Sequence, residues 1–293
     1  MKAIFRRHTT TPSPAPISDD VVRLVARTRY ELVPMKGVDE AIADLAPGAP
    51  VSVTCSPVKG VPATLELSGR LLDLGHDVVP HVSARLVEGP DHAARIAQWL
   101  REHAVGELFV IAGDAAQPVG PYADSLAFLR DLLEHDTGLV SIGLPSYPDG
   151  HPLVEDGVLR AALHAKQALL HEAGMAGSTT TQMCLDADRI RVWLTEERNV
   201  GLELPVDLGV PGVVDRAKLM TMGVRLGIGT SLRFLRKHRS TMMALLSPGG
   251  YDPTELVTEV ANCAEPLGIR GLHSFTFNRV GSTRQWQDQV LGG

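Results

Sequence analysis

The sequence predicts a single α/β barrel of eight parallel strands, a (β/α)8 TIM barrel, and three observations predict it. Apolar, β-prone runs alternate with helix-period segments, the pattern of parallel βαβ units. The runs number eight, which favours a closed barrel over an open sheet. Four of them end on polar words far apart in sequence: Tyr30-Glu31-Leu32-Val33-Pro34, Ala112-Gly113-Asp114, Thr180-Thr181-Gln182 and Phe275-Thr276-Phe277-Asn278-Arg279. In a closed barrel such strand ends converge on one mouth, where chemistry is done.

The expected strands are residues 29–33, 51–55, 78–83, 108–112, 139–144, 178–185, 201–208 and 271–277. Most read as apolar on both faces, as strands covered by helices and filled by a core do. Between them, residues 91–103 form a helix with Asp91 as cap and Ala94, Ile96, Ala97 and Leu100 as its apolar stripe. Residues 123–135 repeat the pattern with Leu126, Leu129, Leu132 and Leu133, and residues 158–173 with Leu159, Leu163 and Leu170. Helices over 216–226, 231–246 and 254–267 follow. No glycine-rich dinucleotide fingerprint follows the first strand, and the Gly-Ile-Gly at 227–229 does not complete one. The expected organisation is a lead-in over residues 1–27, partly irregular, and a catalytic barrel over 28–293.

Bulk properties narrow the function. A hydrophobic content of 44% is ample for a packed core. With 28 basic and 34 acidic residues the net charge is −6, which gives no reason to expect nucleic-acid binding. Three widely spaced cysteines, an odd count with no CxxC pair, read as reduced thiols of a cytoplasmic protein. No apolar run reaches the length of a membrane span. The basic start is followed by Thr, Ser and Pro rather than by an apolar core, so it reads as an extended lead-in and not a signal peptide.

Glu31 sits inside an apolar strand. Burial disfavours a charged carboxyl, and a carboxylic acid that keeps its proton can act as a general acid. The bland alternative is a paired structural glutamate. Asp114 follows Gly113, which permits a sharp turn or close ligand approach; the aspartate could hold a polar heterocycle or merely cap a helix. Gln182 offers a donor and an acceptor to a ring amide, or is a satisfied core glutamine. Tyr147 and His151 lie in a Pro- and Gly-shaped loop and could line a pocket; His81 shares the ambiguity of any lone histidine. Arg279 suits a carboxylate ligand or a salt bridge closing the barrel. No His, Asp or Glu cluster has metal-ligand spacing, so no metal is expected. The basic run 233–239 reads as a solvated helix face or an anion attractor.

Taken together, these words resemble the methylenetetrahydrofolate reductase family over residues 30–279. The matching pieces, in family order, are Tyr30-Glu31-Leu32-Val33-Pro34, Val51-Ser52-Val53-Thr54, Pro80-His81-Val82, Gly113-Asp114, Tyr147-Pro148-Asp149-Gly150-His151-Pro152, Thr181-Gln182, Pro211-Gly212 and Leu272-His273-Ser274-Phe275-Thr276-Phe277-Asn278-Arg279. The resemblance implies reduction of 5,10-methylenetetrahydrofolate to 5-methyltetrahydrofolate. It implies Glu31 as the acid that helps open the imidazolidine ring and Asp114 as the carboxylate beside the iminium ion. Asp114 and Gln182 would hold the pterin, Thr54 would join the substrate set, and Arg279 would meet the glutamate tail. His81, Tyr122, Tyr147 and His151 fall at cofactor positions.

Usual family members carry FAD, and here the sequence departs from them. Ala112 stands where the family often has arginine, residues 168–170 offer no basic group, and Met183-Cys184 replaces an aromatic pair. Aromatic residues make up only 4% of the chain, which leaves few rings to stack on a flavin. The expectation is therefore a flavin-free form in which NADH (or NADPH) passes hydride directly to the folate, with FAD absent. The alternatives are an FAD-dependent ping-pong reductase, a related reductase using a deazaflavin or another pterin, and a folate-binding protein without turnover. Either a monomer or a homo-oligomer fits.

Overall fold

The computed structural model describes residues 17–215, 218–221 and 251–292. The expected helix over 231–246, the glycines at 227–229 and the basic run 233–239 lie outside the described residues, as does most of the expected helix over 216–226.

Eight parallel strands close into a barrel: β1 (Thr28–Leu32), β2 (Pro50–Val53), β3 (Asp77–Ser83), β4 (Glu107–Ile111), β5 (Ser141–Ser146), β6 (Ala176–Thr181), β7 (Val206–Pro211) and β8 (Ile269–Phe275). β8 returns to β1 with Arg29 opposite His273 and Glu31 opposite Phe275. All eight expected runs are strands, and β7 shifts the most. The stretch before it is satisfied by side chains rather than a ladder. Arg198 donates to the carbonyls of Leu202 and Leu204 at 2.6 and 2.8 Å, and Gln167 accepts from the Glu203 amide at 2.8 Å.

The helices are α1 (Asp19–Ala26), α2 (Val38–Ala43), α3 (Gly60–Asp73), α4 (Pro90–Glu102), α5 (Ser125–Leu132), α6 (Asp156–Glu172), α7 (Ala187–Asn199), α8 (Thr254–Ala264) and α9 (Val280–Leu291). α1 falls within the expected lead-in. Ser18 caps it, Val21, Leu24 and Val25 are buried, and it packs against α8, α9 and β8. That packing makes it part of the barrel wall. α4 starts one residue earlier than expected: Gly89 is the cap, Pro90 opens the helix, and Asp91 lies in the first turn. α7 was not expected because its apolar stripe is narrow, essentially Ile190, Trp193 and Leu194 among charged neighbours.

The expectation that the strands are apolar on both faces holds only for the outer face. Leu32, Val51 and Val53 join an apolar cluster with Leu67 and Leu71 of α3, and Val110 and Leu144 join one with Ile96 of α4 and Leu129 of α5. The residues between them line two cavities inside the barrel and are largely polar. Arg29 and Glu31, Ser52 and Thr54, Val79 and His81, Glu107 and Phe109, Thr180 and Gln182 occur at the spacing of two that brings strand residues to one face. Among the described residues no helix is long and apolar enough to cross a membrane.

Candidate active site

The upper cavity, about 480 Å³, opens at the C-terminal ends of the strands. The lower one, about 380 Å³, lies toward their N-terminal ends. His81, Phe109, Thr180 and His273 line both and form the partition between them. The His81 and Phe109 rings are tilted together with centroids 4.6 Å apart, His81 and His273 stack at 6.0 Å, and Phe275 meets His273 edge-on at 5.1 Å. Below the partition, charges are compensated in place. Arg270 grips Asp207 at 2.7 Å and Arg29 holds Asp77 at 2.8 Å.

Glu31 stands on the partition. It is buried, and its Oε2 lies 3.1 Å from His273 Nε2. Register explains the pairing: His273 sits opposite Arg29, one layer below Glu31 on the neighbouring strand, within reach of the glutamate side chain. Burial holds the His81 imidazole well below the ordinary histidine range, and its neighbours His273 and Arg29 act the same way. His81 Nε2 and Thr54 Oγ1 are buried and have no hydrogen-bond partner among the described residues. Glu31, His81 and His273 each present a ligand atom within 4.8 Å of the others.

The rim carries the remaining groups. Gly113 has φ +90°, a conformation that releases the chain from β4, and a Cβ there would run into Ser83 Oγ. The turn delivers Asp114 to the cavity edge. Across from it, burial and the Asp114 charge push the Tyr147 phenol up to about 12, so it stays protonated. His151 packs edge-on against Tyr147 at 5.3 Å, and its Nδ1 accepts from the Leu153 amide at 3.2 Å. Gln182 is anchored by its own backbone amide to Ser146 O at 2.7 Å, and its Oε1 accepts from the Met183 amide at 2.8 Å.

Thus Glu31, Thr54, His81, Asp114, Tyr147, His151 and Gln182 share one cavity. Two expected residues do not line it. Tyr122 is buried in the core against Phe128, and its hydroxyl donates to Asp131. Arg279 is exposed at the start of α9. Burial of Lys218, and next the Arg279 charge, lower the Lys218 ammonium, which donates to Phe277 O at 3.0 Å and lies 5.7 Å from the centre of the Phe277 ring. Phe277 does line the cavity, so Lys218 and Arg279 make a basic corner beside its edge. His273, Phe109 and Lys218 were not singled out from sequence. The signal for His273 was its place two residues before Phe275, the period of one strand face.

No family model matches this chain. Among solved structures, an uncharacterised protein from Clostridium thermocellum that binds two copies of 5-methyl-5,6,7,8-tetrahydrofolic acid superposes with a TM-score of 0.61 at 12% identity, over 93% of this chain and 96% of that one. At that identity the likeness is one of fold. A lyase or mutase candidate from Burkholderia cenocepacia J2315 matches at 14% identity over 94% of this chain and 86% of that one; its TM-score of 0.45 carries no argument.

Proposed function

We propose that this barrel reduces 5,10-methylenetetrahydrofolate to 5-methyltetrahydrofolate, with NADH or NADPH giving hydride directly to the folate. The observation that carries the reading is the gathering of Glu31, Asp114 and Gln182, from three distant strand ends, around one cavity of ligand size. The fold neighbour that binds 5-methyltetrahydrofolate, the product of this reaction, supports it.

In this reading Glu31 protonates N10 as the C–N10 bond breaks. The lone pair of N5 then forms the N5=CH2 iminium. His273 orients the Glu31 carboxyl through their hydrogen bond. Asp114, carrying negative charge at the rim, favours the cationic iminium electrostatically. Hydride from the dihydronicotinamide adds to the methylene carbon. The balance is methylene-folate, NADH and one proton to methyl-folate and NAD+. Gln182 holds the pterin amide, and the Lys218–Arg279 corner receives the glutamate tail.

The absence of flavin is part of the proposal. It rests on the sequence departures at Ala112, residues 168–170 and Met183-Cys184. A second reading, folate binding without turnover, is favoured by the Clostridium thermocellum neighbour, described by what it binds. The test is the visible spectrum of the purified protein together with NADH oxidation in the presence of methylenetetrahydrofolate. We expect no flavin absorbance and folate-dependent oxidation. Stoichiometric flavin whose removal abolishes activity sinks direct transfer, and tight folate binding with no oxidation leaves the second reading standing.

A further inference from the structure

We propose that Glu31, His81 and His273 form a site for one divalent transition-metal ion of the zinc type. Each contributes a ligand atom within 4.8 Å of the other two, and all three residues are buried. They come from β1, β3 and β8, so no spacing along the chain announces the set. Two imidazoles and a carboxylate are a donor set of catalytic zinc sites, which keep a further position open. All three residues line the upper cavity, so the open position would face it.

One observation points to an ion independently of the cluster's composition. His81 Nε2 is buried with no hydrogen-bond partner among the described residues. A buried polar atom left alone in a native site asks for an explanation, and an unmodified imidazole nitrogen is a ready ligand. The spacing of the other two groups suits an ion as well as a hydrogen bond: Glu31 Oε2 and His273 Nε2 are 3.1 Å apart. Two ligands bound at zinc distances in a tetrahedron stand about 3.3 Å apart, so this edge is already close to formed. The His81 edge, at most 4.8 Å, closes by at most about 1.5 Å on binding. The Glu31–His273 hydrogen bond on its own leaves His81 unexplained.

The ion would occupy the carboxylate that serves as the acid in the proposed reduction. Metal loading and acid catalysis therefore exclude each other, and zinc inhibits that reaction in step with occupancy. The metal site itself rests on geometry and not on the reductase reading.

The test uses the full chain, stripped with chelator and titrated with zinc chloride, with bound metal measured by atomic absorption. The same titration is run on His81→Gln and His273→Gln, each checked for folding by circular dichroism and thermal unfolding. One tightly held zinc per wild-type chain is expected, with affinity at least about tenfold weaker in either variant. Cobalt-loaded wild type should also show the strong visible bands of a four-coordinate site, lost in both variants. No tightly held zinc in wild type, or equal retention in the variants, overturns the proposal. No substrate enters these measurements. A chain that holds zinc but never reduces folate refutes only the reductase reading, and a chain that reduces folate but holds no zinc refutes only the metal site.

Discussion

Glu31 Oε2 and His273 Nε2 meet at 3.1 Å across the seam where β8 closes on β1. Barrel closure itself creates this pair, since the residues lie at opposite ends of the described barrel. Glu31 lines the upper cavity and not the charged lower one.

Glu31→Gln keeps the shape and a hydrogen bond to His273 but removes the transferable proton. Folate binding should survive while turnover falls by about 10²–10⁴-fold, the usual contribution of general acid catalysis. Titration of folate binding beside steady-state kinetics checks both halves; near-normal turnover would remove Glu31 from the acid role.

Arg279→Ala tests the tail corner. Arg279 is exposed and bears on Lys218 beside the cavity edge. Loss of a charge-assisted contact made equally in ground and transition states should raise KM for a polyglutamylated folate roughly tenfold or more, with kcat little changed. A fall in kcat at constant KM would place Arg279 in the chemistry instead.

Gly113→Ala should be costly through the backbone that carries Asp114. At φ +90° an alanine is strained, and its Cβ would collide with Ser83 Oγ. We expect a loss of roughly 2–4 kcal/mol in urea unfolding and a drop in activity as Asp114 shifts. Wild-type stability would mean that the turn is not held in this conformation.

Lys166 supplies a pH signature. It is buried on α6 with its Nζ 3.3 Å from Ser125 Oγ, and burial lowers its ammonium to about 8. The folded value lies below the unfolded one, so between about pH 8 and 10.5 the unfolded chain binds more protons and stability rises with pH. Below about pH 8 the full penalty is present. Lys166→Met should therefore stabilise the protein by roughly 1–3 kcal/mol at pH 7, the charge penalty less the lost hydrogen bond. That gain should shrink as pH rises toward 10.5. Urea unfolding of both proteins across this range measures the difference; a gain independent of pH would contradict the account.

The barrel was legible because alternation and strand-end words are local signals. All eight runs became strands, and the polar groups of three of the four words, Glu31, Asp114 and Gln182, line one cavity. The interior was less legible. Ser52 and Asp207 were read through the apolar residues beside them, although alternation along a strand already separates an inner from an outer face. His273 was visible only as one letter in a longer word, because its meaning comes from the register of β8 on β1. Tyr122 does not line the cavity. The resemblance alone put it at a cofactor position, but its ring packs into the core against Phe128 of α5. The metal-ligand group joins residues 31, 81 and 273, a combination that only closure of the barrel assembles.

Direct hydride transfer is tested most directly by isotope. Methylenetetrahydrofolate and NADH carrying deuterium on one face of C4 are turned over in ordinary water, and the methyl group of the product is analysed by mass spectrometry. Direct transfer predicts that one of the two C4 labels delivers a full deuterium to the methyl carbon, undiluted by solvent. Deuterium washed out to solvent hydrogen, as expected for a carrier whose N–H exchanges with water, would contradict it.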